Sequence, residues 1–364
     1  MRILFLGPAN ACHVTRWVGF LQRAGHDVLL ASLHEIPPQQ RGRAEPLVPV
    51  PGKGATSLLA FVRALPVVRR LARRHAPDLC VAYYMTSYGL LAAVAGCRPW
   101  IGAAAGGDVL VDAFDPWPRR LRNRLALRIA LPRAAGMLAW ADHVARRLVE
   151  LGYPRERILV QPRGVDRALF RHRPPRRRMP NDPLRVLSIR WLKPLYRVDT
   201  LVEALAELRR RGVPFEARIG GTGPERPRLE ALARRLGLAG PLRFLGEIPA
   251  DEVPSQLAWS DVYVSTSSSD GASASLFEAL AVGSYPVVTD IEANRPYVVP
   301  GRTGALFPVG DAKALADRLE AVARDDDARR AAIAAARSLV ETRLDWEANM
   351  RRIEGFLERT SGRA

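Results

Sequence analysis

The stretch 262–290, VYVSTSSSDGASASLFEALAVGSYPVVTD, decides the fold because it contains one complete structural unit. It opens with an apolar strand pattern at 262–267, passes through a polar loop and continues as an apolar helix pattern at 274–282. A second strand pattern follows at 285–290. A strand, a helix and a strand in this order predict two parallel strands joined by a crossover helix. If the rhythm recurs along the chain, the protein is of the α/β class.

Two carboxylates, Asp270 and Glu278, lie eight residues apart in this unit, among small, hydroxyl and apolar residues. Asp270 is predicted in the loop at the carboxyl end of the strand, and Glu278 in the opening turns of the helix. The helix N-terminus between them offers unpaired backbone N–H groups and a partial positive charge, which suit a phosphate. Gly271 lets the backbone approach closely, and Ser273 and Ser275 add small donors. The pattern indicates a nucleoside-diphosphate sugar, with one acid at each carbohydrate ring.

A purely structural interpretation of the same two acids stays open at this point. Asp270 then caps the helix, and Glu278 is a solvated acid that stabilises the helix dipole. These few residues support both interpretations equally, so the decision depends on the rest of the chain.

Strand and helix patterns alternate in two blocks of the sequence. The first block has predicted strands at 2–7, 27–32, 46–50, 78–84, 99–104, 136–140 and 157–161, and predicted helices at 15–25, 56–75 and 141–151. The second has strands at 184–189, 215–221, 242–247, 262–267 and 285–290, and helices at 199–211, 225–236, 251–259, 274–282 and 311–324. A chain of 364 residues also exceeds what one core usually serves. We therefore predict two doubly wound, Rossmann-like α/β domains.

Composition sets the predicted domain boundaries. The segment RHRPPRRRMPNDP at 171–183 has almost no apolar residue and is predicted to be a solvated linker. It separates an N-terminal domain, 1–170, from a C-terminal domain, 184–340. The last residues, 341–364, are predicted to form a helix that packs back toward the N-terminal domain. The cleft faced by both domains is the expected ligand site.

Charge and cysteine content narrow the class of protein. The chain carries 55 basic and 37 acidic residues, a net charge of +18, which favours phosphorylated substrates, an anionic membrane surface or nucleic acid as partners. Its three cysteines, Cys12, Cys80 and Cys97, follow no metal-binding or disulfide pattern, which fits a reducing compartment. The uncharged span 79–97 is just long enough to cross a bilayer, but its central tyrosines and its Thr-Ser-Tyr-Gly sequence predict a strand, a polar loop and a helix instead.

The ordered motifs of the chain resemble those of one enzyme family. DGASASLFEALAVGSYPVV (270–288) is similar to the two-acid motif of the retaining GT-B glycosyltransferases of family 4. The opening strand, loop and helix at 2–28, the segment ILVQPRGVDRALF at 158–170 and the stretch 219–271 resemble further parts of that family in the same order. The resemblance covers nearly the whole chain and implies the two-domain GT-B fold.

The resemblance implies roles for residues of the C-terminal domain. Glu278 would bind the ribose hydroxyls, Asp270 would contact the donor sugar and position its anomeric carbon, and Arg190 would neutralise the leaving diphosphate. Ile248 would lie near the base. Further donor-binding positions are the backbone amides that would hold the diphosphate and the glycines that would shape the turn beside the nucleotide: Gly271, Ala272, Ser273, Ala274, Ser275, Leu276, Gly221 and Gly223.

The chain departs from the family pattern at three places. A lysine usually follows the arginine, but Tyr196 stands about there, which leaves Lys193 or Arg197 as the second cation. The first acid is Asp270 where glutamate is commoner, and the shorter side chain can change the sugar preference. A histidine often found before the Gly-Asp turn of the N-terminal domain is absent, with Ala105 about there.

On the acceptor side, the predicted cleft residues of the N-terminal domain are Gly7, His13 and Asp108. His13 or Asp108 could orient or deprotonate the acceptor hydroxyl. The alternatives are that His13 is a loop histidine bonded to local backbone and that Asp108 caps the next segment.

The mechanism implied by the resemblance is glycosyl transfer with retention of anomeric configuration by same-face attack. A helix terminus and an arginine would stabilise the charge on the leaving diphosphate, so no metal and no cofactor beyond the donor substrate are expected. The sequence shows no ligand spacing typical of Mg²⁺ or Zn²⁺ and identifies no nucleophilic carboxylate for a double displacement.

A basic helix is predicted in the segment 116–136, PWPRRLRNRLALRIALPRAAG. Arg120, Arg124 and Arg128 recur every fourth residue, beside an apolar row formed by Leu121, Leu125 and Ile129. Such a helix can lie on an anionic leaflet, and the acceptor would then be lipid-linked. The alternative is a helix buried along its leucine row with solvated arginines. No RNA- or DNA-binding motif accompanies the charge, so nucleic acid is not an expected partner.

The sequence therefore predicts a cytoplasmic glycosyltransferase, peripheral at the inner face of the plasma membrane if the basic helix binds lipid. It would transfer a sugar from a nucleoside-diphosphate sugar to a hydroxyl acceptor, in the synthesis of a bacterial polysaccharide or glycoconjugate. Two alternatives keep the fold: a sugar-nucleotide epimerase, and an inactive partner that binds nucleotide or lipid in an assembly complex.

Overall fold

The computed structural model describes residues 1–38, 41, 42, 44–46, 58–110, 116–179 and 181–362. The chain divides into two compact units. The first contains residues 1–162 together with 347–364, and the second contains 163–346.

The first unit contains a parallel sheet whose seven described strands lie in the order β3-β2-β1-β4-β5-β6-β7. The strands are β1 (Arg2–Leu6), β2 (Asp27–Ser32), β3 (Ala44–Pro46), β4 (Leu79–Tyr83), β5 (Trp100–Ala104), β6 (Gly136–Ala139) and β7 (Ile158–Val160). The helices are α1 (Cys12–Arg23), α2 (Leu58–His75), α3 (Leu90–Ala95), α4 (Trp117–Ala130) and α5 (Asp142–Glu150), with α12 (Trp346–Ser361) from the end of the chain. Of the predicted strand 46–50, residues 47–50 lie outside the described residues.

The span 79–97 folds as strand, π-helix and short helix. β4 is buried along its whole length, the π-helix Tyr84–Gly89 follows it, and α3 completes the segment. Among the helices that the structure describes, none combines the length and the apolar character needed to span a membrane. The strand and the helix predicted in this span are therefore confirmed, and the predicted polar loop between them is a π-helix.

The second unit contains a parallel sheet of six described strands in the order β10-β9-β8-β11-β12-β13. They are β8 (Leu184–Ile189), β9 (Phe215–Gly220), β10 (Leu242–Gly246), β11 (Val262–Ser265), β12 (Tyr285–Thr289) and β13 (Ala305–Phe307). The helices are α6 (Val198–Arg210), α7 (Arg226–Arg235), α8 (Val253–Trp259), α9 (Ala274–Val282), α10 (Ala312–Arg324) and α11 (Asp326–Arg343). Apolar clusters on both faces bury the sheet, as a doubly wound fold requires.

The segment 171–183 differs from the predicted solvated linker. It belongs to the second unit, and two of its five arginines, Arg176 and Arg178, contact Asp261, a buried carboxylate just before β11. The Asp261 Oδ2 atom accepts a hydrogen bond from Arg176 Nη2 at 3.1 Å and lies 3.7 Å from Arg178 Nε. Arg329 of α11, also buried, places Nη1 3.9 Å from Asp261 Oδ1. The composition of the segment gave the wrong prediction because an arginine can be buried when a carboxylate neutralises its charge.

The end of the chain returns to the first unit. Helix α11 continues to Arg343, past the predicted domain end at residue 340, and the second unit extends to Trp346. On α12, the Phe356 ring packs over Gly136 of β6, and Glu354 Oε1 lies 2.8 Å from His26 Nε2. This helix thus contributes core and polar contacts to the sheet that begins the chain.

Helix α4 exposes the apolar row that one interpretation of the sequence had buried. Leu121 and Leu125 are each 50% exposed, and Ile129 is 39% exposed. The face that packs inward instead carries Ala126, Leu127 and Ala130. Burial along the leucine row is therefore wrong, because the small alanines permit the closer approach of α4 to its neighbours.

Candidate active site

The loop between β11 and α9 carries Asp270 and is fixed at several points. Thr289 Oγ1, on β12, donates to the Ser267 carbonyl at 2.6 Å, and Thr266 Oγ1 donates to the Tyr196 carbonyl at 2.7 Å. Ser273 is the N-cap of α9 and accepts a hydrogen bond from the Leu276 amide at 3.4 Å. The loop is thus held between the ends of neighbouring strands and leads directly into a helix N-terminus.

Arg190 follows β8, the strand beside β11, so the parallel sheet brings its side chain to the Asp270 loop. Its Nη2 atom donates to Asp270 Oδ2 at 2.5 Å and to Ser267 Oγ at 3.0 Å. Its Nη1 atom donates to Ser273 Oγ at 3.1 Å and to Ser275 Oγ at 3.3 Å. The structure therefore brings together Arg190, Asp270 and the serines at the start of α9, which the sequence placed at one site.

Electrostatics keep this guanidinium charged although only 10% of the side chain is exposed. Burial alone would lower the pKa of Arg190, but the Asp270 carboxylate raises it, with a net pKa above the usual arginine value. Beneath the serines, burial raises the pKa of Tyr263, whose hydroxyl lies 2.7 Å from Ser275 Oγ. The site is a fixed positive charge surrounded by hydroxyl groups and one carboxylate.

Gly221 and Gly223 pack against the backbone that carries Arg190. Both have positive φ, +125° and +151°. A Cβ added at Gly221 would stand 2.0 Å from the Arg190 carbonyl oxygen, and one added at Gly223 would stand 2.3 Å from the Leu192 carbonyl oxygen. The Ile248 side chain packs on the neighbouring Gly220. Only glycine permits this approach, so these positions shape the turn below the site.

The backbone amides of residues 271–276 fall into two groups: those that donate to side chains of the protein and those that are candidates for binding a ligand. The Gly271 amide donates to its neighbour, Asp270 Oδ1, at 2.9 Å, and the Leu276 amide donates to Ser273. The predicted set 271–276 is therefore reduced, because two of its amides already have side-chain acceptors. Those of Ala272, Ser273, Ala274 and Ser275 stay candidates, and the first-turn amides among them lack intrahelical acceptors by geometry. Glu278, in the second turn, is half-buried.

The predicted second cation has a different arrangement. Tyr196, at the family's lysine position, lies with its ring 4.2 Å from the guanidinium carbon of Arg190. Lys193 places its ammonium 5.6 Å from the ring centroid of Trp191 in its own loop. The Arg197 guanidinium packs beside Gly310, in the turn before α10. A ring, not a cation, therefore contacts Arg190 here.

Asp108, in the first unit, holds a turn and is a poor candidate for a base. Its Oδ2 accepts the Met85 amide at 2.7 Å, and its Oδ1 accepts the amides of Ala105 and Gly106 at 2.9 and 3.0 Å. The side chain is buried, and burial raises its pKa. The carboxylate thus binds backbone amides that precede it, one in the π-helix and two in its own turn, whereas the alternative had it cap the segment that follows.

His13 and Gly7 also lie at the carboxyl end of the first sheet. His13 stands in the first turn of α1, not in a loop, because the helix begins three residues before the predicted start. Its ring centroid is 5.1 Å from that of Tyr83, at the end of β4. A Cβ at Gly7 would meet Phe5, Tyr83 and Val14 within 3.3 Å. Gly7 therefore serves close packing after β1.

The two units match two family models. Residues 11–164 match the glycosyl transferase 4-like domain, and residues 172–339 match glycosyl transferases group 1. The chain is built from two glycosyltransferase domains. The predicted glycosyltransferase domains are therefore confirmed.

Named relatives and solved structures agree with this assignment. The colanic acid biosynthesis glycosyltransferase WcaL of Salmonella typhimurium is 34% identical over 230 residues, which is 61% of this chain and 56% of WcaL, so the match spans about half of that relative. The phosphatidyl-myo-inositol mannosyltransferase of Mycolicibacterium smegmatis is 27% identical over 96% of this chain and 90% of its own length. Anabaena HepE, solved in complex with UDP and glucose, superposes with a TM-score of 0.82 at 20% identity, covering 99% of this chain and 100% of HepE. The predicted GT-B fold is confirmed.

Within these glycosyltransferase domains, the sequence missed several side chains that build the site. Ser267 and Tyr263 complete the hydroxyl surroundings of Arg190, and Tyr196 covers its face. The run of hydroxyl residues at 265–268 was the available signal, but serine is so common in loops that the run alone selects no residue.

A separate polar cluster lies in the first unit. Among the described residues, His26, Glu354 and Glu358 place potential ligand atoms within 4.8 Å of one another. His26 already bonds Glu354 through Nε2 at 2.8 Å and lies 3.1 Å from the amino group of Met1 through Nδ1. These contacts explain the cluster as a junction between α12 and the start of the chain.

Proposed function

We propose that this protein is a retaining glycosyltransferase that moves a sugar from a nucleoside-diphosphate sugar to a hydroxyl acceptor. One observation carries the proposal. A buried, charged Arg190 is held by Asp270 and by the serines that open α9, at the N-terminus of a helix that also carries Glu278. Such an arrangement binds a diphosphate through charge-assisted hydrogen bonds and the helix dipole.

In the proposed reaction, each group of the site acts on a different part of the donor. The diphosphate binds Arg190 and the first amides of α9, while Glu278 accepts hydrogen bonds from the ribose hydroxyls. Asp270 holds the donor sugar so that the acceptor hydroxyl reaches the anomeric carbon from the face of the leaving group. As that bond forms and the bond to phosphate breaks, the acceptor proton passes to the leaving phosphate oxygen. The fixed positive charge stabilises the departing diphosphate.

We further propose that the reaction is independent of a divalent metal. Arg190 and the helix terminus already supply the positive charge that a metal provides in other transferases. Transfer in the presence of EDTA is therefore expected to match transfer in added Mg²⁺ or Mn²⁺. A loss of transfer in EDTA that either metal restores would contradict this part of the proposal.

The acceptor is proposed to be a lipid-linked saccharide or glycolipid in bacterial polysaccharide or glycoconjugate synthesis. The phosphatidyl-myo-inositol mannosyltransferase of Mycolicibacterium smegmatis is named for a lipid acceptor, which supports this class, and WcaL is named for the biosynthesis of a polysaccharide, colanic acid. Helix α4 of the first unit supports it independently, because its exposed apolar row is joined by Trp117, which is 74% exposed. Segment 116–136 carries six arginines and no acid. This face suits an anionic lipid surface, which fits a cytoplasmic protein peripheral at the inner face of the plasma membrane.

Mutation of the α4 row tests the membrane contact. The double variant Leu121→Ser/Leu125→Ser is expected to bind vesicles of phosphatidylcholine and phosphatidylglycerol at least about 10-fold more weakly, because two exposed leucines that would insert into the membrane are lost. Cosedimentation measures the bound fraction. Val299→Ser, a change at an exposed apolar residue of the second unit, is the matched control and should bind as the wild type does. Equal binding of the double variant and the wild type would contradict the α4 contact.

The reaction itself is tested by following donor consumption. Purified protein is incubated with UDP-glucose, UDP-galactose or GDP-mannose, with and without a polyprenyl-diphosphate-linked saccharide extract, and the released nucleoside diphosphate is measured. Release that depends on the acceptor, with NMR of the product showing the donor's anomeric configuration, is the expected result. Free sugar formed without acceptor would indicate the epimerase alternative. An unchanged cellular glycan in a Glu278→Ala strain would indicate the inactive partner.

A further inference from the structure

The ring of Tyr196 covers one face of the Arg190 guanidinium. The distance from the guanidinium carbon to the ring centroid is 4.2 Å, within the range of a cation–π contact. The in-plane donors Nη1 and Nη2 are engaged by three serines and Asp270, so the ring and the hydroxyl groups together fix both the position and the plane of the charge.

The backbone around Tyr196 is tied to the same loop that carries these acceptors. Tyr196 ends the 3-10 turn Pro194–Tyr196, and its carbonyl accepts Thr266 Oγ1 at 2.7 Å. The carbonyl of Leu195 accepts the Ser268 amide at 3.0 Å and the Ser268 hydroxyl at 2.9 Å. The backbone that carries the ring is therefore tied to the loop that carries Asp270.

One donor of Arg190 is left over in this arrangement. Arg190 Nε is buried and has no hydrogen-bond partner among the residues that the structure describes. A buried N–H of a charged group without an acceptor is costly and is usually satisfied by a ligand or water. The serines and Asp270 hold the two Nη atoms, so Nε is the donor that a phosphate oxygen can take without displacing a protein acceptor.

We propose that Tyr196 is a positioning residue that replaces the second cation of the diphosphate site. Its ring fixes the plane of Arg190 and keeps water from that face, so that one oriented arginine binds the diphosphate. This inference rests on the proposed function and extends it, since it assigns diphosphate affinity to a ring–guanidinium contact. It predicts a requirement for an aromatic ring at residue 196 and none for its hydroxyl group.

Calorimetric titration with UDP, GDP and the matching nucleoside tests this requirement. In Tyr196→Leu, the affinity for the nucleoside diphosphate is expected to fall about 10-fold, while the nucleoside binds as in the wild type. Tyr196→Phe is expected to restore diphosphate affinity to within about two-fold of the wild type. Trp191→Leu, which removes the neighbouring ring under Lys193, is the matched control and should change neither affinity.

The outcomes separate this inference from the proposed function. Equal diphosphate affinity in wild type and Tyr196→Leu overturns the role of Tyr196 and leaves the proposed function standing, as does a parallel loss of nucleoside affinity, which indicates a structural role. If the wild type binds neither UDP nor GDP, both proposals fail together. Should Tyr196→Leu not fold, as judged by its thermal transition, Tyr196→His provides the same comparison, because its smaller ring is expected to give an intermediate affinity.

Discussion

Asp270→Asn is expected to reduce sugar transfer at least about 100-fold while leaving nucleoside-diphosphate affinity equal to or higher than that of the wild type. The physical reason is the pair of roles that the structure gives to Asp270. Its Oδ2 atom lies 2.5 Å from Arg190 Nη2, so this carboxylate offsets part of the positive charge that attracts a diphosphate to the Nε of the same guanidinium. The amide removes the competing charge, but it also removes the carboxylate proposed to hold the donor sugar.

The test compares the effect of Asp270→Asn on kcat with its effect on nucleotide affinity. Steady-state transfer gives kcat, and calorimetric titration with UDP or GDP gives the affinity of the product diphosphate. Asp290→Asn is the matched control, because this aspartate directly follows β12 in the same unit and pairs with the exposed Arg295. If Asp270→Asn lowers affinity and kcat by the same factor, the carboxylate supports the loop and does not act on the sugar.

Asp261→Ala is expected to destabilise the second unit by about 3–5 kcal/mol, which is the largest effect on stability predicted here. Asp261 is 2% exposed, and it accepts hydrogen bonds from Arg176 and from the Arg185 amide, with Arg178 and Arg329 within 4.0 Å. Alanine leaves these buried charges without their common carboxylate. Asp326 still pairs with Arg329 and accepts the Arg178 amide, so the expected loss is that of the Asp261 contacts alone.

Urea denaturation followed by circular dichroism measures this effect. Asp327→Ala is the matched control, because Asp327 is 91% exposed at the side chain, pairs with Arg330 at 3.9 Å and should contribute less than about 1 kcal/mol. A loss below about 1 kcal/mol in Asp261→Ala would mean that water reaches the arginines and that the segment 171–183 is a linker after all.

Much of the fold could be predicted because its signals are local. The alternation at 262–290 specifies β11, α9 and β12 to within two residues at each end. A parallel sheet then forces Asp270 and Arg190 to the same edge, since both follow the carboxyl ends of neighbouring strands. The contact between them is thus a consequence of topology.

Other features depend on tertiary packing that no local pattern records. The periodicity of α4 identifies the row of Leu121, Leu125 and Ile129, but whether that row faces a neighbour or solvent depends on the helices beside it. The sequence predicts a solvated Arg178, because nothing local indicates its partner Asp261, which is distant in sequence. The sequence suggests that Asp108 is a cleft acid because one of its hydrogen-bond donors, the Met85 amide, lies 23 residues earlier, in the π-helix after β4, and no local pattern shows this contact.

The central claim is that Arg190 and the start of α9 bind a nucleoside diphosphate. The most direct test is thermal stability of the wild type, Arg190→Ala and Glu278→Ala with UDP, GDP, ADP, CMP and dTDP. One nucleotide is predicted to stabilise the wild type by about 2.7 kcal/mol at 100-fold saturation, and both variants to lose that response. Stabilisation that survives in Arg190→Ala, or a wild type that responds to none of the five nucleotides, would contradict the account.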